Sequence, residues 1–594
     1  MKRDFAAIWG LACAAALAFG CSDADDDGNA DASADADTGT DTGTDTDTDT
    51  DTDTDSDTDT DTDTDSDTDA DADTDTDVDT DADADTDTDT DTDTDTDSDT
   101  DTDADAGMDG GTDAGVDLGC VVLVDGAGGN DSNDGSTWAL AKKTVQAGLD
   151  AAKEMILVAD AGDDAGDDAG SGSGPCEVWV AAGTYIPTLV TDSGDPRTAT
   201  ILLRAGVALY GGFVHGVLSR DDRDVDGHPT ILSGDLAGDD ATTGNAENAY
   251  HILTGADDAV IDGFTITAGN AEEDSGGGMY NPGVSPVVAR CTFSGNTARN
   301  GGGMYNGPGS APVVTDCTFS GNTAQTGGGM SNYGSAAVVS RCTFAGNTAD
   351  SAGGMDNLNS DAVVTGCVFS GNNATNGLGG GMCNTESPTT VTGCTFTDNT
   401  ASIHGGGMAN WTASPTVTNC AFAGNTADMR GGAMSNLSGC APTLTNCTFA
   451  GNTADMFGGA MINATSSPTM TSCILWGNSA PTDAEIYDDD SSSKPVVTYS
   501  DVEGGCANIA HAVCGSGNIE ADPLFVNLDA DAGVMDLRLG TGSPCIDTGS
   551  NAAVPSGVTT DLDGNPRIVA GAVDAGPDAG ATATVDMGAY ERSG

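Results

Sequence analysis

Basic residues are scarce: 17 Lys and Arg stand against 97 Asp and Glu, a formal net charge of −80 over 594 residues. Such a chain repels nucleic acid and anionic membrane surfaces, so neither is an expected partner. Long apolar runs are missing as well. The longest, residues 5–19, falls short of the ~20 residues a membrane-spanning helix needs. None of the 17 cysteines forms a Cys-x-x-Cys pair, which removes the common zinc frameworks. From 22 to 118 the chain has no Lys, no Arg and no apolar period, and so nothing to offset the entropy of folding. In the repeats that follow residue 276, Leu and Ala do not recur at helical spacing, which excludes leucine-rich and helical repeats.

What is present is a repeat of about 26 residues, a period that calls for stacked coils. Its Cys column runs 291, 317, 342, 367, 394, 420, 447 and 473. Phe follows two places later at 293, 319, 344, 369, 396, 422 and 449, with Leu475 closing the series. Met recurs at 279, 304, 330, 355, 382, 408, 434 and 461. Two Asn columns keep the same step, one from Asn296 to Asn478 and one from Asn281 to Asn463. Within a unit the period is two: Val287, Ala289, Cys291 and Phe293 are read as inward, Val288, Arg290 and Thr292 as outward. Parallel strands at this step place each residue ~4.8 Å from its own copy. Stacked Asn amides then bond from coil to coil, where stacked Asp would accumulate charge.

Ahead of the repeat the chain divides sharply. Residues 1–20 read as an export signal, and Gly20-Cys21-Ser22 resembles a bacterial lipoprotein signal. That likeness implies lipidation of Cys21 and a membrane partner through the anchor; the alternative is cleavage near Ala18 and free secretion. The Asp-Thr tract of 21–118 carries 42 of the acidic residues, leaves −38 for the rest, and reads as a disordered, self-repelling stalk. Asp23-x-Asp25-x-Asp27-Gly28 imitates a calcium loop, but Ala34 stands where a bidentate carboxylate is needed. Weak, non-specific calcium on the stalk is the only cofactor expected. Residues 120–124 and 177–185 read as strands, and 159–174 as a loop. Residues 137–152 form a capping helix, with Trp138, Ala141, Val145, Leu149 and Ala152 at helical spacing. Irregular coils follow at 200–213 and 249–270, with Phe264 heading the Phe column.

Candidate site residues are few. Tyr280, Tyr305, Tyr333 and Trp411 lie at or after the Met-x-Asn corner, as an aromatic strip for sugar stacking or as plain loop packing. Cys506 and Cys514 flank a short loop and are the candidate disulfide, while the eight column cysteines are read as buried thiols. A lyase needs a basic residue beside a calcium-holding carboxylate cluster, and a glycosidase needs converging carboxylates. The positions before each Cys (Arg290, Asp316, Arg341, then Gly366, Gly393, Asn419, Asn446 and Ser472) give no cluster. His404 reads as a solvated corner residue, and no metal site or catalytic residue is assigned. Were a catalytic group present, the irregular region 200–275 would hold it, among Asp221, Asp222, Asp235, Asp257, Asp258 and Asp262.

The Phe-x-Gly-Asn plus Gly-Gly-x-Met unit resembles the repeats of polymorphic outer-membrane proteins, within the pectate-lyase-like β-helix class. Ser543-Pro544-Cys545, the run 561–567 and the run 585–591 resemble the terminal domain of variably anchored bacterial β-helix proteins. The resemblance implies an all-β, right-handed parallel β-helix with an N-terminal capping helix, preceded by the disordered acidic stalk. The divisions are 1–20 signal, 21–118 stalk, 119–275 cap and irregular coils, 276–480 regular repeats, and 481–594 terminal coils and domain. Members of that family end in a membrane barrel, for which too little sequence follows residue 480, so Cys21 is the expected anchor. The location implied is the outer membrane or cell surface of a Gram-negative bacterium, or the medium. The role implied is structural, adhesive or glycan-binding, with glycans or surface proteins as partners. The alternative is an extracellular polysaccharide lyase or glycoside hydrolase.

Overall fold

In the computed structural model, which describes residues 120–162, 175–528, 535–568 and 584–592, each regular coil gives four short strands. In one coil these are Val287–Ala289, Thr292–Ser294, Thr297–Asn300 and Met304–Asn306. Equivalent strands of successive coils pair in parallel, building sheet 1 (14 strands), sheet 2 (12), sheet 3 (8) and sheet 4 (12), the last begun by Leu189–Val190 antiparallel to Ala199–Leu202. Phe293 opposes Phe319, Met279 opposes Met304 and Asn281 opposes Asn306, the registers that the repeat dictates. The fold is a right-handed parallel β-helix. The export signal, Cys21, the stalk and residues 163–174 lie outside the described residues.

The interior is a set of columns. Rings from Phe293 to Phe449 stack 4.7–4.8 Å apart and 3–4° from parallel. The eight column cysteines are free and buried, and they do more than fill space. From Cys317 to Cys420, Sγ accepts the backbone N–H of the Cys one coil back, as Cys342 Sγ does from Cys317 at 3.4 Å. Ser500 Oγ takes over that role for Cys473 at 3.0 Å.

One expected parity fails. Val288 and Val314 are fully buried, while Val313 is 39% exposed. The cause is the residue before each Cys: Arg290, Asp316 and Arg341 have φ of 49°, 53° and 53°. A single left-handed residue turns the chain and reverses which parity faces in. Phe264 is also displaced from its expected column, because Ile266 opposes Phe293 and Phe264 lies two residues earlier. The predicted helix shifts too. A 3-10 turn covers Trp138–Leu140, and the α-helix spans Val145–Gly162, so residues 159–162 are helical rather than loop. It buries Val145 and Leu149 over the first strands. Gly148 permits this approach, since a Cβ there would stand 2.5 Å from Val124 Cγ2.

At the other end, residues 535–568 and 584–592 include no further coil of the four sheets; they lie along the outer face of the last ones. Asn419 Nδ2 donates to Thr560 O and Asn446 Nδ2 to Asp586 O, both at 3.0 Å. Ala421 and Ile474 are buried beneath this cover at an outward position where most earlier coils hold Thr, and Ala450 is buried at one where they mostly hold Ser. Disulfides join Cys120 to Cys176 and Cys506 to Cys514.

Both Asn columns are hydrogen-bonded ladders. Asn399 Oδ1 accepts the N–H of Asn372 at 3.0 Å and its Nδ2–H at 2.9 Å. Asn399 Nδ2 in turn donates to Phe369 O and Asn425 Oδ1, both at 2.9 Å. Truncating one rung leaves several buried polar groups unmade at about 1–3 kcal/mol each. Asn399→Ala is therefore expected to lower unfolding stability by on the order of 4 kcal/mol, measured by denaturant titration. An exposed control such as Thr390→Ala is expected to change it by under about 1 kcal/mol.

Candidate binding site

The recess with the densest chemistry lies on the irregular coils. Tyr210 belongs to the strand Val207–Phe213 and opposes Asp262 at the end of Val260–Asp262. Asp262 opposes Ala289, and the left-handed bend at Arg290 turns its side chain back along the same edge. The segment after that strand folds over them. It makes a 3-10 turn at Arg220–Asp222, and Asp224 N–H donates to Gly212 O at 3.0 Å. Gly263 (φ 83°) allows the overlay, because a Cβ there would stand 2.8 Å from Val225 Cγ2.

The result is a recess of about 400 Å³ lined by Tyr210, Arg220, Asp221, Arg223, Val225, Asp262 and Arg290. Buried Asp262 binds two guanidiniums, Arg223 at 3.0 Å and Arg290 through Nε at 2.9 Å. Arg220 reaches Glu177 at 2.8 Å and Tyr210 Oη at 3.2 Å. Both Arg220 and Arg223 lie over the Tyr210 ring, 5.1 and 4.9 Å from its centre. Arg220 and Arg290 keep 46% and 55% of their side chains exposed, so each presents free N–H donors to a ligand. Glu177 raises Arg220, and the bond to Asp262 raises Arg290, above the ordinary guanidinium value. Burial raises the Tyr210 phenol as well. These three groups are therefore donors, and none is set up to accept a proton.

Sequence reading placed Arg290 in no cluster, and the structure corrects this. Arg290 joins Asp262, while Asp316 and Arg341 pair on the next coils at 2.7 Å. Asp221 and Asp262, from the region singled out, meet in the recess. The available signal was Arg220 and Arg223 close together in a base-poor chain, shortly after the strand that carries Gly211 and Gly212; nothing in the sequence joined Arg290 to them.

The aromatic strip is divided by register. Tyr280 stacks on Tyr305 at 5.8 Å and on His251 at 4.8 Å. Tyr333 and Trp411 lie two residues further along sheet 4, separated from each other by Leu358 and Thr385. His404 is buried rather than solvated, in a row with Leu378, Arg430 and Phe457. Burial, then Arg430, pushes its imidazole down to about 3, so it stays neutral.

A family model described as a right handed beta helix region matches residues 251–422. No curated protein matches the chain. Among solved structures it is similar to the pectate lyase Pel9A, at 14% identity over 80% of this chain and 96% of that one, with a TM-score of 0.39. A rhamnogalacturonan lyase matches at 14% identity over 70% and 92%, with a TM-score of 0.26. PfbA, a surface adhesin of Streptococcus pneumoniae, matches at 10% identity over 63% and 86%, with a TM-score of 0.29. Likenesses of this degree say nothing of what the chain binds.

Burial pushes the Asp356 carboxyl up to about 7, Glu485 to about 8 and Glu591 to about 9. Unfolded carboxyls titrate near 4, so the folded state holds these protons where the unfolded state has lost them. Stability therefore falls as pH rises from about 4 through 7 and beyond. The thermal midpoint is expected to be higher at pH 5.5 than at pH 8. Asp356→Asn should gain ~3 kcal/mol at pH 8 and almost nothing near pH 4, checked by denaturation at both values.

Proposed function

We propose that this is an exported, non-catalytic β-helix protein that binds saccharide in the Arg220–Arg223–Arg290 recess, in an adhesive or structural role at the cell surface. The observation that carries this reading is the recess itself: three guanidiniums and two carboxylates line it, with Glu177 holding Arg220, where the chain's basic residues are otherwise thinly spread. Planar guanidinium donors and fixed carboxylate acceptors match the hydroxyl edges of a sugar, and exposed Arg220 and Arg290 suit a uronate or sulfate substituent. The polar character of the recess favours such a ligand over an apolar one. A non-catalytic role is supported by the state of these groups, because a guanidinium tied to a carboxylate is a poor base. Export and anchoring rest on residues 1–21, with the acidic stretch to 118 as a spacer that lifts the coils off the envelope.

Full-length protein presented to an array of neutral and acidic glycans is expected to retain acidic ones. Arg220→Ala, at an exposed position, should weaken that binding at least tenfold with the β-sheet circular dichroism unchanged. Equal binding by the variant would overturn the site, and release of unsaturated or reducing ends would replace binding by lyase or hydrolase chemistry. Labelled fatty acid should be incorporated by the wild type and lost in Cys21→Ala; retained label would remove the anchor.

A further inference from the structure

The recess is assembled from two unlike pieces. Tyr210, Asp262 and Arg290 stand on or beside strands of sheet 1, whereas Arg220, Asp221, Arg223 and Val225 come from the segment laid over them. That segment has little to hold it. No residue from Val214 to Pro229 is buried as a whole, although the Arg223 side chain is, and Leu218 is 52% exposed. A stretch without a core of its own belongs to the part of a fold that opens locally at low cost. Its seat on the coils therefore depends on individual ties. At its far end Arg223 binds Asp262 and Asp224 N–H donates to Gly212 O, and midway Arg220 reaches Glu177.

The near end is held by the N-terminal cap. Asp125 directly follows the strand Val121–Val124, and only 7% of its side chain is exposed. Its Oδ1 accepts the N–H of Ala127 at 3.0 Å and its Oδ2 that of Gly128 at 2.8 Å, which fixes the carboxylate. The same Oδ2 meets His215 Nε2 at 2.8 Å. An ionised carboxylate only accepts, so the imidazole donates through Nε2–H. His215 also lies on the Trp138 ring, with centres 5.4 Å apart and planes 24° from parallel, and Trp138 Nε1 donates to Val217 O at 3.0 Å. Both anchors are themselves tied down. Asp125 N–H donates to Lys142 O at 2.8 Å and Lys142 N–H to Leu123 O at 2.9 Å, while the Trp138 ring meets Phe213 at 6.4 Å. His215 keeps 59% of its side chain exposed, so it adds little packing, and what it supplies is the bond.

His215 and Val217 stand five and three residues before Arg220, with no buried residue between. Four of the seven lining residues ride on this segment. A ligand that needs both pieces binds only the fraction of molecules in which the segment is seated. We propose that Asp125, His215 and Trp138 are positioning residues of the recess: they pin the near end of the overlay, keep Arg220 in one recess with Arg290, and thereby set the affinity for acidic saccharide. The effect on binding rests on the saccharide reading; the tie itself does not.

Amide hydrogen exchange on the free full-length protein, paired with glycan binding, tests both parts. In His215→Ala, exchange over 214–228 should quicken about fivefold while the regular coils stay unchanged. Acidic-glycan binding should weaken about threefold in the same variant. His215→Gln, whose side-chain amide replaces Nε2–H as donor to Asp125, should bring both back to within about twofold of wild type. Exchange unchanged in His215→Ala, or quickened exchange that His215→Gln does not slow, would overturn the tie. Quickened exchange with glycan binding unchanged would overturn the positioning role. If the wild type retains no glycan, the saccharide reading fails instead, and exchange alone decides the tie. Should the coils of His215→Ala also exchange faster, Trp138→Phe takes its place, since it keeps a ring and removes the bond to Val217 O. Quickening confined to 214–228 then supports the tie, and none refutes it.

Discussion

Vertical registry is the constraint on which everything else rests. Each residue of a regular coil lies about 4.8 Å from its own copy above and below, so a position accepts only side chains that interact favourably with themselves. Phe meets this by stacking, and Asn by being donor and acceptor at once. The column Cys meets it by taking a backbone N–H on sulfur. A charged side chain fails unless its neighbour has the opposite sign, and the corner series Arg290, Asp316, Arg341 alternates accordingly, with Asp262, one residue off the column, pairing Arg290 from the coil before. Each ladder also needs a final acceptor. Asn478 ends on Glu485 Oε2 at 2.7 Å and Asn463 on Asp488 Oδ1 at 2.9 Å, both carboxyls raised by burial.

Chemistry gathers where this registry is relaxed. The coils before residue 276 lack the repeated columns, so their outward positions are free to differ from one coil to the next. There the overlay of 219–228 on Tyr210 and Asp262 builds the recess, and Asp125 and Trp138 hold the near end of that overlay. At the far end a different device operates. Outward Thr gives way to Ala421 and Ile474, and outward Ser to Ala450, and the terminal segment covers them, as Gly588 N–H bonding to Ser472 O at 2.8 Å illustrates. That change of residue type was visible in the chain and marks which coils are covered.

Some features were legible and others were not, for identifiable reasons. Strand pairing, the Phe, Met and Cys columns and both Asn ladders follow from the period. Parity within the first strand did not, because the residue that reverses it varies among Arg, Asp, Asn, Ser and Gly, and the Arg positions give no sign of φ near 50°. The solvated reading of His404 failed because the row formed by Leu378, Arg430 and Phe457 buries it. Tyr280 and Tyr305 stand one residue after the column Met, but Tyr333 and Trp411 stand three after it, so a shared neighbourhood in sequence became two registers in space.

The amino-acid sequence alone determined the coil, its period and the contents of its core, because a repeated local pattern has one way to bury its apolar face and pair its backbone. Tertiary structure alone decided the recess and the tie that holds its overlay. Their members, such as Tyr210, Arg223 and Arg290 or Asp125 and His215, sit in unlike local contexts many residues apart. They meet only because the winding of successive coils places distant segments on one edge, and packing there, not local pattern, sets which side chains touch.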